Sequence, residues 1–513
     1  MGKNFYITTP IYYPSAKPHM GHAYSSIIAD FLARFKKIDG FNVNFLTGTD
    51  EHGLKIQRAA EKKGQDTLKF CDEISKTFRD LSKTLNLTNT DFIRTTEDRH
   101  KKSVQNLWKE LEKNGDIYLS KYSGWYSVSD EAFYSEDEIE ELDGKKISIA
   151  SKSAVEWVDE ESYFFRLSKW EKKLLDYYEK NPDFISPKAR NNEVISFVKG
   201  GLKDLSISRK SFSWGISVPS NNDHVIYVWL DALTNYISAL NYPDTNHDLY
   251  KKFWPANIHL IGKDIIRFHA VYWPAFLLAA KLPLPKKIYG HGWILSGEEK
   301  MSKSKGNILD PIKIINQYGL DPLRYYLIKE VSFGNDGNIS QERLEYCINS
   351  DLANNFGNLC QRVTAFTFKN CEGKIPTNIE FNNKDFKILD KFKNNLNLIR
   401  EKIDELDLNF YIDFIVTSLF EANKYFNDQE PWKKKDDIKR LSTIVYTTLE
   451  IVRKISFMLY PIIPQSSLNA LKIYSIKENE IDYSSIDNHN YLTCGKTINK
   501  IDILFKKINK DND

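Results

Sequence analysis

The sequence has 513 residues, of which 41% are hydrophobic and 27% are charged. This length is too great for a single hydrophobic core, so we expect two to four structural units. The formal net charge of +3 excludes a polycation that binds nucleic acid through bulk charge, and leaves local patches or shape for such contacts.

The beginning of the chain predicts a strand–helix–strand unit. Residues 5–9 and 42–48 are strand-like and apolar, and residues 20–37 form an amphipathic helical pattern that Gly40 ends. Such a unit predicts a parallel sheet with ligand-binding loops at the carboxyl ends of its strands. The segments HMGH (19–22) and DEH (50–52) follow the two strands, so we expect both at one edge of the sheet.

The pattern changes further along the chain. Residues 116–222 carry short aromatic runs and an acidic block, which indicate an insertion into the parallel domain. The strand-and-helix pattern resumes at residues 256–264 and 286–293. Past residue 340 the sequence is helical nearly throughout, which predicts an antiparallel bundle.

The HMGH segment places two imidazoles on one side of a helix's first turn. The amide dipoles at this position favour an anion, most naturally a phosphate. Gly21 would let an adenine or ribose approach the backbone, and His19 and His22 would stabilise charge on a phosphoryl group during transfer. Taken alone, the segment is equally consistent with two ordinary histidines at a helix start.

The segment KMSKSKGN, which begins at Lys300, gathers Lys300, Lys303 and Lys305 on a loop rich in serine. Such a loop could close over a triphosphate and stabilise departing pyrophosphate. Taken alone, a charge run is more often a solvated surface loop. Its pairing with HMGH on a parallel-sheet scaffold favours phosphate chemistry.

HMGH and KMSKS match the two signatures of class I aminoacyl-tRNA synthetases, and further segments resemble the methionyl-tRNA synthetase family across nearly the whole chain. These segments are FYITTPIYYPSAKPHMGHAYSSIIAD, FLTGTDEHG, YVWLDALTNY, IHLIGKDIIRFHAVYWPA and HGWILSGEEKMSKSKGN. The resemblance implies a methionine–tRNA ligase. It would activate L-methionine with ATP to methionyl-adenylate and pyrophosphate, with Mg²⁺ held largely by the phosphates, and then transfer methionine to the 3′-terminal adenosine of tRNA(Met).

The resemblance implies an α/β fold, in which a Rossmann-like parallel-sheet catalytic domain is split by an insertion and followed by a C-terminal antiparallel helical bundle. The expected domains are the first catalytic half with HMGH at 1–115, the connective-peptide insertion without a zinc knuckle at 116–222, the second catalytic half at 223–297, the KMSKS loop and stem-contact linker at 298–345, and the helical anticodon-binding domain at 346–513.

The resemblance places the methionine pocket on Ile11, Tyr12, Tyr13, Asp50, Trp229, Ala232, Leu233, Tyr236, Ile265 and His269. The spacing of the residues from Trp229 to Tyr236 is that of one helix face, which alone is more typical of a core stripe. A flexible thioether suits an aromatic-lined slot. Asp50 would pair with the α-ammonium of the substrate, although a lone strand-end aspartate is more often a turn or cap residue.

The resemblance places ATP on His19, Gly21, His22, Lys263, Asp264, His291, Gly292, Trp293, Lys300 and Lys303. Among these, His19, His22, Lys300 and Lys303 would be catalytic, with the two lysines acting on the β- and γ-phosphates. The methionine carboxylate would attack the α-phosphorus in line, so catalysis would consist of positioning and charge stabilisation without a covalent enzyme intermediate.

The resemblance places the anticodon readers on Asn358, Arg362 and Trp432. Asn358 and Arg362 are four residues apart and share a helix face. The indole of Trp432 could stack on an unstacked base, although a capping core aromatic is as good an interpretation without the resemblance. The lysines at 433–435 would then contact phosphates, whereas in isolation they form a solvated run.

The chain departs from the family pattern at the zinc knuckle that many members carry in the insertion. Ser127 and Asp130 occupy the positions of the first cysteine pair, and no cysteine lies between Cys71 and Cys347. A thiolate zinc site is therefore excluded in this segment, and we expect no structural zinc or other metal. The insertion would be held by aromatic packing, for which the candidates are Trp125, Tyr126, Phe133, Tyr134 and Trp157.

The scattered cysteines include no CxxC pair, which favours a reducing compartment. No signal-peptide pattern and no membrane-spanning apolar stretch occur. We therefore expect a cytoplasmic protein that does not associate with membranes. Some relatives append a small dimerising β-barrel after the bundle, for which this sequence has no room, so we also expect a monomer.

Three alternative functions remain open at this point. A leucine or valine synthetase of the same class is disfavoured by Trp229, His269 and an insertion too short for a large editing domain. A noncatalytic tRNA-binding paralogue would have lost signature residues, whereas both histidines and both signature lysines are present. A small-metabolite nucleotidylyltransferase can share HxGH but would not need a helical bundle with a stackable tryptophan.

Overall fold

The computed structural model describes residues 3–14, 17–128, 132–134, 136–142, 144–149, 151–296, 299–300, 310–489 and 491–508. These residues form two compact units. The sheet unit consists of Asn4–Pro18 and Val43–His291, and the helical unit consists of the described residues of Met1–Lys3, His19–Asn42 and Gly292–Asp513.

The described strands follow one another along the chain. They are β1 (Asn4–Tyr12), β2 (Asn42–Thr49), β3 (Asp91–Arg94), β4 (Ile117–Ser127), β5 (Ala132–Tyr134), β6 (Ile139–Leu142), β7 (Lys145–Ser148), β8 (Glu156–Phe165), β9 (Ile185–Ser186), β10 (Leu205–Ser206), β11 (Ser208–Arg209), β12 (Ser217–Val218), β13 (Asn221–Ile226), β14 (Ile258–Gly262), β15 (Ile288–His291), β16 (Ile294–Ser296), β17 (Glu299–Lys300) and β18 (Gly337–Asn338).

The described α-helices occur in both halves of the chain. They are α1 (Met20–Ile38), α2 (Leu54–Lys62), α3 (Thr67–Thr84), α4 (Asp98–Lys113), α5 (Glu171–Lys180), α6 (Lys188–Lys199), α7 (Val228–Leu233), α8 (Asn235–Ser238), α9 (Asp248–Phe253), α10 (Trp273–Ala279), α11 (Pro311–Tyr318), α12 (Leu320–Glu330), α13 (Gln341–Cys347), α14 (Asn358–Asn370), α15 (Asn383–Asp404), α16 (Leu408–Gln429), α17 (Ile438–Leu459) and α18 (Pro464–Leu471).

The main sheet has the strand order β3-β2-β1-β14-β15-β9. The pairs β2–β3, β1–β14, β14–β15 and β15–β9 are all parallel. Its strands are rich in apolar residues, as expected for a sheet that is covered on both faces. The α/β fold with a parallel sheet that the sequence predicts is therefore confirmed.

Gly48 sets how closely β2 approaches β3. A Cβ atom at this position would lie 2.0 Å from the backbone oxygen of Ile93 and 2.7 Å from its side chain. Only glycine permits this separation, which fixes the end of β2 directly before Asp50.

The stretch predicted as an insertion contains a separate antiparallel sheet of order β10-β8-β4-β5. Trp125 of β4 lies opposite Trp157 of β8, with ring centroids 5.1 Å apart and an interplanar angle of 77°. Tyr126 is buried, whereas the side chain of Phe133 lies outside the described residues.

The same stretch also contributes to the parallel sheet, because β9 pairs with β15 at its edge. The helices on either side of β9 explain this difference from a purely inserted domain. Leu174 and Tyr178 of α5 and Val194 and Val198 of α6 are buried in the core of the sheet unit. The domain boundaries predicted from the sequence stay a prediction.

The helical unit is dominated by α14 to α17, whose lengths reach 22 residues. The helix α15 packs against α16 and α17, and α16 packs against α17, which agrees with the predicted bundle. None of the described helices is long and apolar enough to cross a membrane.

A buried ionic cluster joins α1, α12 and the segment that follows α17 within the helical unit. The carboxylate of Asp30 on α1 accepts hydrogen bonds from Arg34 Nε at 2.8 Å and from Arg324 Nη2 of α12 at 2.7 Å. Arg34 also donates to Tyr460 at 3.0 Å, and Arg324 Nε donates to the backbone oxygen of Ile462 at 2.7 Å. Asp30 is fully buried, so the two guanidinium groups offset the cost of removing its charge from water.

Replacement of Asp30 by alanine should destabilise the protein by about 3–5 kcal/mol, because two buried guanidinium groups lose their counter-charge. Urea unfolding monitored by tryptophan fluorescence measures this loss. The matched control is Glu380→Ala, which removes an exposed ion pair with Lys439 and should change stability little. Equal effects of the two substitutions would contradict the prediction.

Candidate active site

The carboxyl ends of neighbouring strands bring polar residues to one edge of the main sheet. The backbone N–H of Asp50, directly after β2, donates to the carbonyl of Tyr12 at the end of β1, at 3.0 Å. Gly262 at the end of β14 is in register with His291 at the end of β15. The segment Lys263–Ile265 directly follows β14, so the predicted ligands Asp50, Lys263, Asp264 and His291 share this edge.

The loop after β2 is held by Glu51, which the sequence analysis did not single out. Its buried carboxylate accepts two hydrogen bonds from Arg94, at 2.7 and 2.9 Å, and one each from Thr49 and Thr96. Its carbonyl accepts from Trp214 Nε1 at 2.6 Å. These bonds fix the backbone that carries Asp50, and the only signal in the sequence is the TDEHG context itself.

Two predicted pocket residues, Tyr236 and His269, form a direct hydrogen bond. The Tyr236 hydroxyl lies 2.7 Å from His269 Nε2, and His269 Nδ1 lies 3.0 Å from the carbonyl of Ile265. A carbonyl can only accept, so Nδ1 carries the proton and Nε2 accepts from the hydroxyl. Burial lowers the pKa of His269 to about 4, so the imidazole is neutral near pH 7.

Other aromatic rings pack against Tyr236 and His269. Trp229 stacks on Phe268 with ring centroids 3.7 Å apart and an interplanar angle of 5°. The ring of Trp229 also meets His269 edge-on at 6.2 Å. On the other side, Tyr236 stacks on His259 at 4.0 Å. Phe268 and His259 were missed from the sequence, although both lie in the segment IHLIGKDIIRFH that carries the family resemblance.

The helix predicted to carry Trp229 and Tyr236 on one face is divided into α7 and α8 at Thr234. The Thr234 hydroxyl donates to the carbonyl of Leu230 at 2.7 Å, and Asn235 Nδ2 donates to the carbonyl of Ala232 at 2.7 Å. Such side-chain bonds compete with the helical ladder. Ala232, Leu233 and Tyr236 are still buried, and Trp229 is half-buried.

Asp231 on α7 has a completely buried carboxylate that is bound by two histidines. His52 Nδ1 lies 2.6 Å from Oδ2, and His100 Nε2 lies 2.6 Å from Oδ1. Burial raises the pKa of Asp231, but the electrostatic attraction and hydrogen bonds of His52 and His100 outweigh it and lower this pKa to about 2. The ionised carboxylate can only accept, so both imidazole nitrogens donate.

Three further predicted pocket residues lie at the end of β1 or directly after it. Ile11 and Tyr13 are half-buried and pack against the core of the sheet unit. The Tyr13 hydroxyl donates to the carbonyl of His52 at 3.0 Å. Tyr12 is buried and stacks on Phe78 at 5.6 Å. All residues predicted to contact methionine therefore lie in the sheet unit.

The two histidines of HMGH cap α1 in the helical unit. His19 is the N-cap, and its Nδ1 accepts from the backbone N–H of Gly21 at 3.1 Å. The backbone N–H of His19 in turn donates to His22 Nδ1 at 3.1 Å, and the ring centroids are 3.8 Å apart. The expectation that both imidazoles face one side of the first turn agrees with this geometry.

Of the remaining predicted nucleotide ligands, those that the structure describes lie in the helical unit. A Cβ at Gly292 would lie 2.1 Å from the carbonyl oxygen of Asn335, so only glycine fits there. The backbone N–H of Trp293 donates to Asp336 Oδ1 at 2.8 Å. Lys300 lies on β17, its side chain being outside the described residues, and Lys303 lies outside them entirely. The predicted nucleotide ligands are thus divided between the two units.

The structure brings two of the predicted anticodon residues onto one aromatic ring. The guanidinium of Arg362 lies 5.4 Å from the ring centroid of Phe426, and Trp432 meets the same ring edge-on at 6.2 Å. Arg362 Nη2 donates to Asn427 Oδ1 at 2.6 Å. Trp432 is 39% exposed, so its indole is available for stacking. Asn358 lies one helical turn before Arg362 and lines a cavity of about 450 Å³.

The structure describes one of the two residues that occupy the positions of the zinc-binding cysteine pair. Ser127 is buried at the end of β4, whereas Asp130 lies outside the described residues. Across the described ranges, no group of three or more His, Cys, Asp or Glu side chains is placed to hold a metal ion. The absence of structural zinc stays a prediction.

The lowered pKa of His269 predicts a specific loss of stability in acid. Its pKa of about 4 lies below the ordinary value of 6.5. The contribution of the neutral His269 to the unfolding free energy is therefore complete above pH 6.5 and is lost as the pH falls towards 4. Between pH 7 and pH 4, the unfolding free energy of the native protein should fall by about 3 kcal/mol more than that of His269→Gln.

Urea titrations at both pH values test this prediction. Tyr236→Phe is the matched control, because it removes the hydroxyl but keeps the buried imidazole, and its pH dependence should follow that of the native protein. Parallel pH dependences for the native protein and His269→Gln would exclude His269 as the source.

Two family models match the chain. The model described as tRNA synthetases class I (M) matches residues 5–364, and the model described as the anticodon binding domain of methionyl tRNA ligase matches residues 375–513. The first match contains the HMGH and KMSKS segments and all predicted pocket residues, and the second contains Trp432.

The chain is similar to proteins named methionine–tRNA ligase. It is 50% identical to that of Brucella suis biovar 1 (strain 1330) over 94% of each chain, and 49% identical to that of Rickettsia felis over 100% of each. A solved structure of Mycobacterium tuberculosis methionyl-tRNA synthetase in complex with methionyl-adenylate has a TM-score of 0.96 at 44% identity, covering 98% of this chain and 99% of that one. On this evidence, the chain belongs to the methionyl-tRNA synthetase family of class I tRNA synthetases.

Proposed function

We propose that this chain is a methionine–tRNA ligase that forms methionyl-adenylate from L-methionine and ATP and then charges tRNA(Met). The observation that carries the proposal is the aromatic cluster in the sheet unit, where the hydrogen-bonded pair Tyr236–His269 lies beside the ring of Trp229. Its chemistry suits an unbranched thioether, and the relatives named methionine–tRNA ligase agree with it.

Methionine would be recognised at both of its ends. The thioether would pack among the rings of Trp229, Tyr236 and His269, since sulfur makes favourable contacts with aromatic edges. The neutral state of His269 keeps this slot free of charge near pH 7. The α-ammonium would pair with Asp50, which is buried directly after β2.

Adenylate formation would follow from positioning of the two substrates. A carboxylate oxygen of methionine attacks the α-phosphorus, the bond between that phosphorus and the α–β bridging oxygen breaks, and pyrophosphate leaves. His19 and His22 would stabilise charge on the transferring phosphoryl group, and Lys300 and Lys303 the departing pyrophosphate. Lys263, Asp264, His291, Gly292 and Trp293 are proposed to hold the nucleotide.

Mg²⁺ is proposed to arrive with the phosphates of ATP, where it would neutralise part of their charge. In the second reaction, a hydroxyl of the 3′-terminal adenosine of tRNA attacks the carbonyl carbon of methionyl-adenylate and AMP leaves. The product is methionyl-tRNA.

Anticodon recognition is proposed for the bundle at 346–513, with adenylate chemistry in the regions 1–115 and 223–297. Phe426 supports the ring of Trp432 and the guanidinium of Arg362, which gives an unstacked base a flat surface and a cation. Asn358 would add hydrogen bonds, and the lysines at 433–435 would contact phosphates. The monomeric state, cytoplasmic location and lack of membrane association remain predictions from the sequence.

Amino-acid-dependent ATP–pyrophosphate exchange tests the proposed activity. Exchange should depend on methionine, and Asp50→Asn should lower kcat/KM for methionine by about a hundredfold, because the buried ammonium loses its counter-charge. Asp80→Asn, an exposed carboxylate of the same unit, is the matched control and should have no effect. Exchange with leucine but not methionine would overturn the specificity. A lack of exchange with every standard amino acid would favour a binding-only paralogue.

Trp432→Ala should separate the two reactions of the enzyme. Charging of tRNA should weaken by about ten- to a hundredfold in kcat/KM, since base stacking contributes about 1–3 kcal/mol. Pyrophosphate exchange without tRNA should remain nearly unchanged. Trp157→Ala removes a comparably exposed indole from the antiparallel sheet and should leave both reactions intact. Equal losses of exchange and charging in Trp432→Ala would show that the residue is structural.

A further inference from the structure

The buried carboxylate of Asp231 lies between residues of the proposed methionine slot. It is on α7, two residues after Trp229 and directly before Ala232. Its two oxygens are used by different partners, His52 at 2.6 Å and His100 at 2.6 Å. All three side chains are nearly or completely inaccessible to solvent.

One of these partners connects α7 to the loop that carries Asp50. His52 lies two residues after Asp50, and its ring meets that of Trp214 edge-on at 5.7 Å. The same indole donates to the carbonyl of Glu51 at 2.6 Å. The hydrogen bond from His52 to Asp231 therefore ties the proposed ammonium-binding loop to the helix that bears Trp229.

The second partner anchors the carboxylate from a different helix. His100 lies in the first turn of α4, whose Val104, Leu107 and Trp108 are fully buried in the core of the sheet unit. A carboxylate inside a protein is costly unless it is fully hydrogen-bonded. An apolar residue would fill the space at lower cost, so packing alone does not explain an aspartate here.

We propose that Asp231 is a positioning residue for methionine, which holds the Asp50 loop and the Trp229 helix at the separation that fits the two ends of the amino acid. This inference rests on the proposed function, because it assigns the slot to methionine. His52 and His100 act through Asp231 and do not touch the substrate. The affinity for methionine then depends on both hydrogen bonds, whereas the affinity for ATP does not.

Paired substitutions at the two histidines test the proposal in the full chain. His52→Ala and His100→Ala should each raise the KM for methionine in pyrophosphate exchange by about tenfold or more, as expected for loss of a hydrogen bond to a charged group. The KM for ATP should stay within about twofold of the native value, a difference that corresponds to less than about 1 kcal/mol. His52→Ala should have the larger effect, since it removes the direct hydrogen bond between the Asp50 loop and α7.

Conservative variants separate the hydrogen bond from the volume of the ring. The amide nitrogen of His52→Asn replaces Nδ1, and that of His100→Gln replaces Nε2, so both retain the donor to Asp231. Each should restore most of the methionine affinity. His224→Ala, which removes a fully buried imidazole bonded to Ser208, controls for a general loss of packing and should not change the KM for methionine.

The histidine variants test the proposal without substitution of Asp231 itself. Alanine variants with an unchanged KM for methionine, or with equal increases for methionine and ATP, would overturn the proposal. So would a failure of His52→Asn and His100→Gln to restore methionine affinity. If the native enzyme itself shows no methionine-dependent exchange, the proposed function fails rather than the positioning role.

Discussion

The parallel arrangement of the main sheet is the constraint on which the sheet unit depends. Parallel strands all present their carboxyl ends at one edge, and the loops leaving that edge converge. Here that edge carries Asp50 after β2, Lys263 after β14 and His291 at the end of β15. Gly48 allows β2 to approach β3 closely, and Glu51 then fixes the loop by its bonds to Arg94.

Two of the buried carboxylates discussed above are each bound by two basic side chains. Asp30 is bound by two arginines and Asp231 by two histidines. The two aspartates differ in their partners' chemistry. Both groups are planar, but arginine stays charged at all ordinary pH values, whereas imidazole can donate a hydrogen bond in its neutral form. Such planar contacts are suited to aligning a helix that carries an aromatic slot.

Local sequence patterns were sufficient to predict the strands and the helix that carry the first of the proposed site residues. The apolar runs predicted β1, β2 and the helix after HMGH, because each has a clear period and a glycine or polar boundary. The resemblance carried by FLTGTDEHG and YVWLDALTNY placed Asp50, Trp229 and Tyr236, which lie together in the sheet unit. The pairing of His100 with Asp231 spans 131 residues, and no local pattern encodes such a contact.

Other features of the fold depend on side-chain hydrogen bonds and tertiary packing that a local sequence pattern does not reveal. The helix through Trp229 divides at Thr234, because hydroxyl and amide side chains bond to backbone carbonyls in place of the ladder. The edge strand β9 joins the main sheet, because its neighbouring helices bury Leu174 and Val194 in the same core. The stacking of Phe268 on Trp229 also required the three-dimensional fold.

The cap of α1 has a consequence for the chemistry of its histidines. In both rings the Nδ1 lone pair is occupied by a backbone N–H, one from Gly21 and one from His19 itself. The ring proton of a neutral imidazole must then be on Nε2. The helix start therefore selects the tautomer of both side chains, and each ring turns an N–H bond away from its own backbone. Two neutral imidazoles with ring centroids 3.8 Å apart also avoid the repulsion between like charges that two adjacent imidazolium ions would have.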